Sequence, residues 1–132
     1  MQRIQNTAAR LITDTKKFES ISRTLFELHW LPVHYRIRFK ILAIPFKAIY
    51  GMAPRYLSNL VSVKSSSAYS LRSNDTLFLD RPSEAMRPTL GARSFYAAAP
   101  ALWNSLPADI REIKSISLFK KCLKTHLFKV AF

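Results

Sequence analysis

The sequence is poor in glycine, cysteine and acid, and each shortage closes off a class of protein. Two glycines in 132 residues argue against a β-rich fold closed by many tight turns. The lone Cys122 excludes an internal disulfide framework and suits a reducing compartment. No apolar run of roughly 18 residues is free of charge, so no membrane span is expected. Residues 1–6 lack the apolar core of a signal peptide, and an intracellular location, nucleus or cytoplasm, is the expectation. The acids are only Asp14, Glu19, Glu27, Asp75, Asp80, Glu84, Asp109 and Glu112. None forms the adjacent aspartate pair of two-metal phosphoryl chemistry, and no glycine-rich loop is present to cradle a phosphate.

What is present is apolar mass and positive charge. Hydrophobic residues make up 48% of the chain and aromatics 12%, enough to build a core rather than a disordered coil. The formal net charge of +13 points to a polyanionic partner, nucleic acid or an anionic membrane face, or marks the basic part of a larger, more balanced protein. At this length residues 1–132 are expected to form one small domain.

Helical spacing dominates the first half. Residues 2–12 read as a short helix with Ile4, Ala8, Leu11 and Ile12 on one face and Arg3 and Arg10 away from it. Ser22 is a candidate cap for a helix over residues 23–29, with Leu25, Phe26 and Leu28 to bury. Trp30-Leu31-Pro32-Val33 then turns the chain. Residues 34–51 are the most apolar segment; wound as a helix, they place Arg36, Lys40 and Lys47 in one narrow stripe. Pro45 should kink or split that helix, Gly51 should end it, and Pro54 should open a short one through residue 60. Residues 61–76 turn polar and read as a loop. Leu77-Phe78-Leu79 and residues 86–90 read as the strands of a short β-hairpin, with Pro88 on its open edge.

The rest of the chain is organised around residues 91–111. A run of alanines lets neighbouring backbones approach, and Trp103 fills the space between them, its indole N–H requiring an acceptor. A helix over residues 92–104 is expected, followed by a stop and restart at Asn104-Ser105-Leu106-Pro107. There Ser105 can cap, Pro107 fits the first turn, and Asp109 suits the positive end of the next helix. The chain closes on a helix whose apolar stripe is Ile116, Phe119, Leu123, Leu127 and Val130. The expected fold is mainly α: a single small helical domain with a short β-hairpin insertion, and with Trp30, Trp103, Phe119 and Leu123 in its core.

Chemistry-bearing constellations are few. Cys122 and His126 stand four apart and make half a metal site, which His29 and His34 would have to complete; no metal or cofactor is expected. No third group orients His126 for a Cys–His nucleophile pair. The basic distribution is the strongest signal. No acid falls between residues 33 and 74, which carry Arg36, Arg38, Lys40, Lys47, Arg55, Lys64 and Arg72. None follows residue 112, where Lys114, Lys120, Lys121, Lys124 and Lys129 lie. Acid-free basic helices suit phosphate contacts, which position a chain without reading sequence. Arg36, Lys40 and Lys47 are the first choices for such contacts, then Lys120, Lys121 and Lys124. Tyr35, Tyr50, Tyr56 and Tyr69 lie nearby and can stack on unpaired bases. The plainer reading of the same residues is a set of solvated faces and core tyrosines.

Residues 1–12, Leu28-His29-Trp30-Leu31-Pro32-Val33 with residues 36–40, Phe46-Lys47-Ala48, residues 51–57, Leu71-Arg72-Ser73, residues 98–107 and Ser117-Leu118-Phe119-Lys120-Lys121 follow one another in a recognisable order. In order and spacing the chain resembles the C-terminal tail of LINE-type (non-LTR) retrotransposon reverse transcriptases, of the jockey-like and Rex-like kind. The resemblance spans essentially the whole chain, and the Trp30 and Trp103 blocks carry most of it. It implies a segment that follows the polymerase core and holds template RNA or target DNA, with the endonuclease and the metal-binding palm lying upstream. No catalytic residue of either is expected here, so no enzyme activity is. The Cys/His zinc knuckle of some related families is missing, and Pro45 interrupts a helix that such tails continue. The resemblance also implies a truncated copy. The leading expectation is an accessory nucleic-acid-binding segment. The alternatives are a helical module that docks on an upstream polymerase core and a truncated relic without function.

Overall fold

The computed structural model describes residues 1–64, 77–81 and 94–132. Among them lie seven helices: α1 (Gln2–Thr13), α2 (Ile21–Glu27), α3 (Val33–Ile49), α4 (Arg55–Ser58), α5 (Phe95–Asn104), α6 (Ala108–Arg111) and α7 (Ile116–Ala131). The protein is mainly helical, as the spacing of apolar residues requires. Leu79 forms an isolated antiparallel bridge with Val63. Residues 86–90, the expected second strand of a hairpin, lie outside the described residues. The chain forms two compact units, residues 1–39 with 124–132, and residues 40–123. The divisions fall inside α3 and α7.

In the first unit, hydrogen bonds rather than apolar burial set the roll of α1. Gln2 accepts the Val33 N–H at 2.8 Å, and the Gln5 amide donates to the Leu31 carbonyl at 3.0 Å. The Arg10 guanidinium donates to the carbonyls of Lys16 and Glu19, fastening the following loop. Gln5 and Ala9 are therefore the buried side. The apolar row turns outward: Ile4 is 73% exposed, Leu11 80% and Ile12 62%. Asp14 closes α1 in the left-handed region at φ 52°.

Helix α2 starts earlier than its sequence suggests. Ser20, not Ser22, is its N-cap, and it caps with backbone only. Leu25 is buried as expected, but Phe26 is exposed. Phe26 sits one residue round the helix from Leu25 and joins a surface cluster, its ring 5.5 Å from Phe128 and 5.6 Å from Phe132. His29, at φ 53°, reverses the chain after α2 and stacks on Phe128 at 5.8 Å. Leu31 is buried, whereas Trp30 is only half-buried.

In the second unit Pro45 does not split α3, which runs unbroken from Val33 to Ile49. Leu42, Pro45 and Phe46 form its buried side, so the proline ring is itself part of the core. Phe46 stacks on Phe119 at 4.3 Å, and Phe119 lies 5.7 Å from Trp103. Trp103, Phe119 and Leu123 are fully buried, as expected. The Trp103 indole N–H finds its acceptor in the Leu77 carbonyl at 2.9 Å. Full burial of such a side chain is worth about 1.5–3 kcal/mol, so this three-ring stack is the main apolar anchor of the unit. Gly51 ends the α3 segment at φ 68°, where an added Cβ would meet nothing within 4 Å; the backbone angle, not space, calls for glycine. Ser105 does not cap α6. It is the C-cap of α5, its hydroxyl donating to the Leu102 carbonyl at 2.7 Å, and Pro107 is the N-cap of α6.

Candidate nucleic-acid interface

A phosphate-binding surface needs cations that are exposed, close together on rigid elements and not already neutralised. Lys40 and Lys47 meet these conditions on α3. Both are exposed, and seven residues separate them, about 10 Å of rise on nearly the same face. The opposite side of this stretch is held in the core by Leu42 and Phe46. On α7, Lys120 and Lys121 are exposed, with Phe119 and Leu123 buried beneath them. Lys47 and Lys120 each follow, in sequence, one member of the Phe46–Phe119 ring stack. Among the described residues no ion pair holds Lys40, Lys47 or Lys120, whereas the exposed Arg23 is paired with Glu27 at 3.0 Å.

Arg36 and Lys124 are also exposed but belong to the first unit. Arg36 has a second duty, since its Nε donates to the Leu31 carbonyl at 2.9 Å. That bond leaves the outer guanidinium nitrogens to face solvent and makes Arg36 partly a structural residue. Arg38 is half-buried with its guanidinium 5.6 Å from the Tyr35 ring centre, a cation–π distance. The candidate cations thus fall into pairs along their own helices: Lys40 with Lys47, and Lys120 with Lys121.

The tyrosines divide more sharply. Tyr35 is half-buried and its hydroxyl donates to the Val130 carbonyl at 3.1 Å. The Tyr50 ring lies 4.6 Å from Phe46, and its hydroxyl reaches the Ile113 carbonyl at 3.4 Å. Both serve packing, which sequence spacing alone does not reveal. Tyr69 lies outside the described residues. Tyr56 is 70% exposed.

Arg111, which spacing and charge do not single out, is buried rather than solvated. Its guanidinium lies 4.0 Å from the Phe78 ring centre, and Nε donates to the Leu106 carbonyl at 3.1 Å. It braces residues 77–79 against the end of α5 and does not face a ligand. Its sequence signal is only a basic residue five after a buried leucine.

Among the described residues no cluster of three or more histidine, cysteine or acidic side chains could hold a metal ion. Cys122 is half-buried on α7. No helix of the described residues is long and apolar enough to cross a membrane. Set beside family models, curated proteins and solved structures, the chain matches none.

Proposed function

We propose that the chain is an accessory nucleic-acid-binding segment of a LINE-type reverse transcriptase, with no catalytic site of its own. It grips the phosphate backbone of template RNA or target DNA with Lys40 and Lys47 on α3 and Lys120 and Lys121 on α7; in the first unit, Arg36 and Lys124 are phosphate contacts of their own. The observation that carries this reading is the placement of exposed lysines on helices whose opposite sides are locked in the aromatic core, in stretches free of acid. Exposed cations on rigid elements release condensed counterions from a polyanion without being ordered first. Titration of labelled single-stranded RNA and duplex DNA with the full chain tests it. The variant Lys40→Gln/Lys47→Gln/Lys120→Gln should bind at least about tenfold more weakly than the parent in low salt.

A second reading has its own support. The outward row Ile4, Leu11 and Ile12 on α1 suits a helical module that docks on an upstream polymerase core, with phosphate contact secondary. On that reading the triple lysine variant binds nucleic acid as poorly as the parent, and Leu11→Ser disrupts association with the polymerase core.

A further inference from the structure

We propose that Tyr56 is a base-stacking residue that makes this surface select unpaired nucleotides over duplex; the inference rests on the nucleic-acid reading above. Of the tyrosines in the acid-free stretch, Tyr35 and Tyr50 have their hydroxyls on backbone carbonyls and their rings in packing contacts. Tyr56 is 70% exposed and, among the described residues, has neither a hydrogen bond nor a ring partner. A large aromatic displayed this way gives up the burial that would otherwise reward it.

The backbone beneath Tyr56 is firm. Pro54 fixes the start of α4, and its carbonyl accepts the N–H groups of Leu57 and Ser58 at 3.0 and 3.1 Å. The Asn59 N–H closes the turn on the Arg55 carbonyl at 3.0 Å. No residue of α4 is buried; Leu57 and Ser58 are half-buried, and Arg55 and Tyr56 are exposed. A tyrosine has two side-chain torsions to order, so a ring already placed on a rigid turn loses little entropy when a base stacks on it.

The electrostatic setting selects the occupant. No acid lies between residues 33 and 74, and the residue before Tyr56 is Arg55. Arg55, the preceding residue, is exposed and supplies a cation for the phosphate of the nucleotide whose base stacks. A base inside a duplex offers no free face, because both faces are covered by its neighbours. The contact therefore adds affinity only for single strands, bulges or frayed ends. Stacking reads no base edge, so little sequence preference follows.

Binding of the full chain is measured to a single-stranded RNA, to the same strand made abasic, and to a duplex, with parent, Tyr56→Ala, Tyr56→Phe and the triple lysine variant. Tyr56→Ala should weaken binding to the single strand by about tenfold and leave the abasic strand and the duplex unchanged. Tyr56→Phe should bind like the parent, since the ring and not the hydroxyl carries the contact. Unchanged helical circular dichroism controls for folding at this exposed site. If Tyr56→Ala binds the single strand like the parent while the lysine variant fails on all three ligands, the stacking role is wrong and the phosphate surface stands. An equal loss on strand and duplex also overturns it. If the parent binds none of the three in low salt, both readings fall.

Discussion

Asn104 grips Leu79 with both ends of its amide. Its Nδ2 donates to the Leu79 carbonyl at 2.9 Å, and the Leu79 N–H donates to its Oδ1 at 2.9 Å. A helix side chain here does the work of a neighbouring strand, satisfying the backbone of a buried residue whose bridge to Val63 is held by the flanking Lys64–Phe78 and Asp80–Ser62 bonds. Asn104→Asp keeps the shape but sets a carboxylate against the Leu79 carbonyl. That variant should lose about 2–3 kcal/mol of stability, read from the urea midpoint, whereas a surface change such as Lys114→Gln should stay within about 0.5 kcal/mol. Equal midpoints for the two would remove Asn104 from the account of the fold.

Arg111 gives a second test of the same corner. It is buried, faces the Phe78 ring and donates to the Leu106 carbonyl, with no carboxylate partner among the described residues. Guanidinium is planar and weakly hydrated, so it tolerates this position; a compact ammonium does not stack and is harder to strip of water. Arg111→Lys should therefore destabilise by about 1–2 kcal/mol, and Arg111→Met by less: it strips the Leu106 carbonyl of this donor but buries no charge, and the Leu77 carbonyl, which Arg111 also reaches at 3.5 Å, keeps the Trp103 indole. Thermal melts of the three proteins read the order directly, and a lysine variant as stable as the parent would contradict it.

Much of this is legible in the sequence, and the exceptions have physical causes. The apolar stripe of α7 and the demand of Trp103 for an acceptor follow from side-chain spacing and chemistry. Phe119, Leu123 and Leu127 of that stripe are buried and Leu77 supplies the carbonyl, but Ile116 is only half-buried and Val130 is exposed. The roll of α1 is not legible. Apolar periodicity marks a face but not which face is buried, and here long-range bonds from Gln2 and Gln5 decide. A proline removes one helix hydrogen bond, which predicts a kink or a split at Pro45; α3 is not split, and the proline ring is buried with Leu42 and Phe46. Of the candidate site, spacing finds the exposed lysines of α3 and α7. It does not separate Tyr56 from Tyr35 and Tyr50, because the carbonyls that hold those two lie 95 and 63 residues away in sequence.

The outward row of α1 makes an unusual mutational pattern. Leu11→Ser, at a position 80% exposed, should change stability by no more than about 0.5 kcal/mol despite removing a leucine from an apolar stripe. Ala9→Leu, at a fully buried position on the other side, should cost about 1–3 kcal/mol through overpacking. Gln5→Met should cost about 1 kcal/mol: it loses the bond to the Leu31 carbonyl that sets the roll, while the amide oxygen it removes has no partner to lose. Chemical unfolding of the three variants checks the roll of the helix; a large loss in Leu11→Ser would mean that the row is buried after all.

The central claim is that exposed lysines on α3 and α7 grip phosphates, and the salt dependence of binding tests it most directly. The full chain is titrated with a labelled single-stranded RNA over a series of salt concentrations, beside Lys40→Gln/Lys47→Gln/Lys120→Gln. Six phosphate contacts give a log–log slope of about −4 on a single strand, and loss of three of them should make the slope shallower by about 2. A steep parent slope that flattens by that amount in the variant is the predicted result. Binding that ignores salt, or a variant whose slope and affinity match the parent's, would contradict the phosphate-gripping surface.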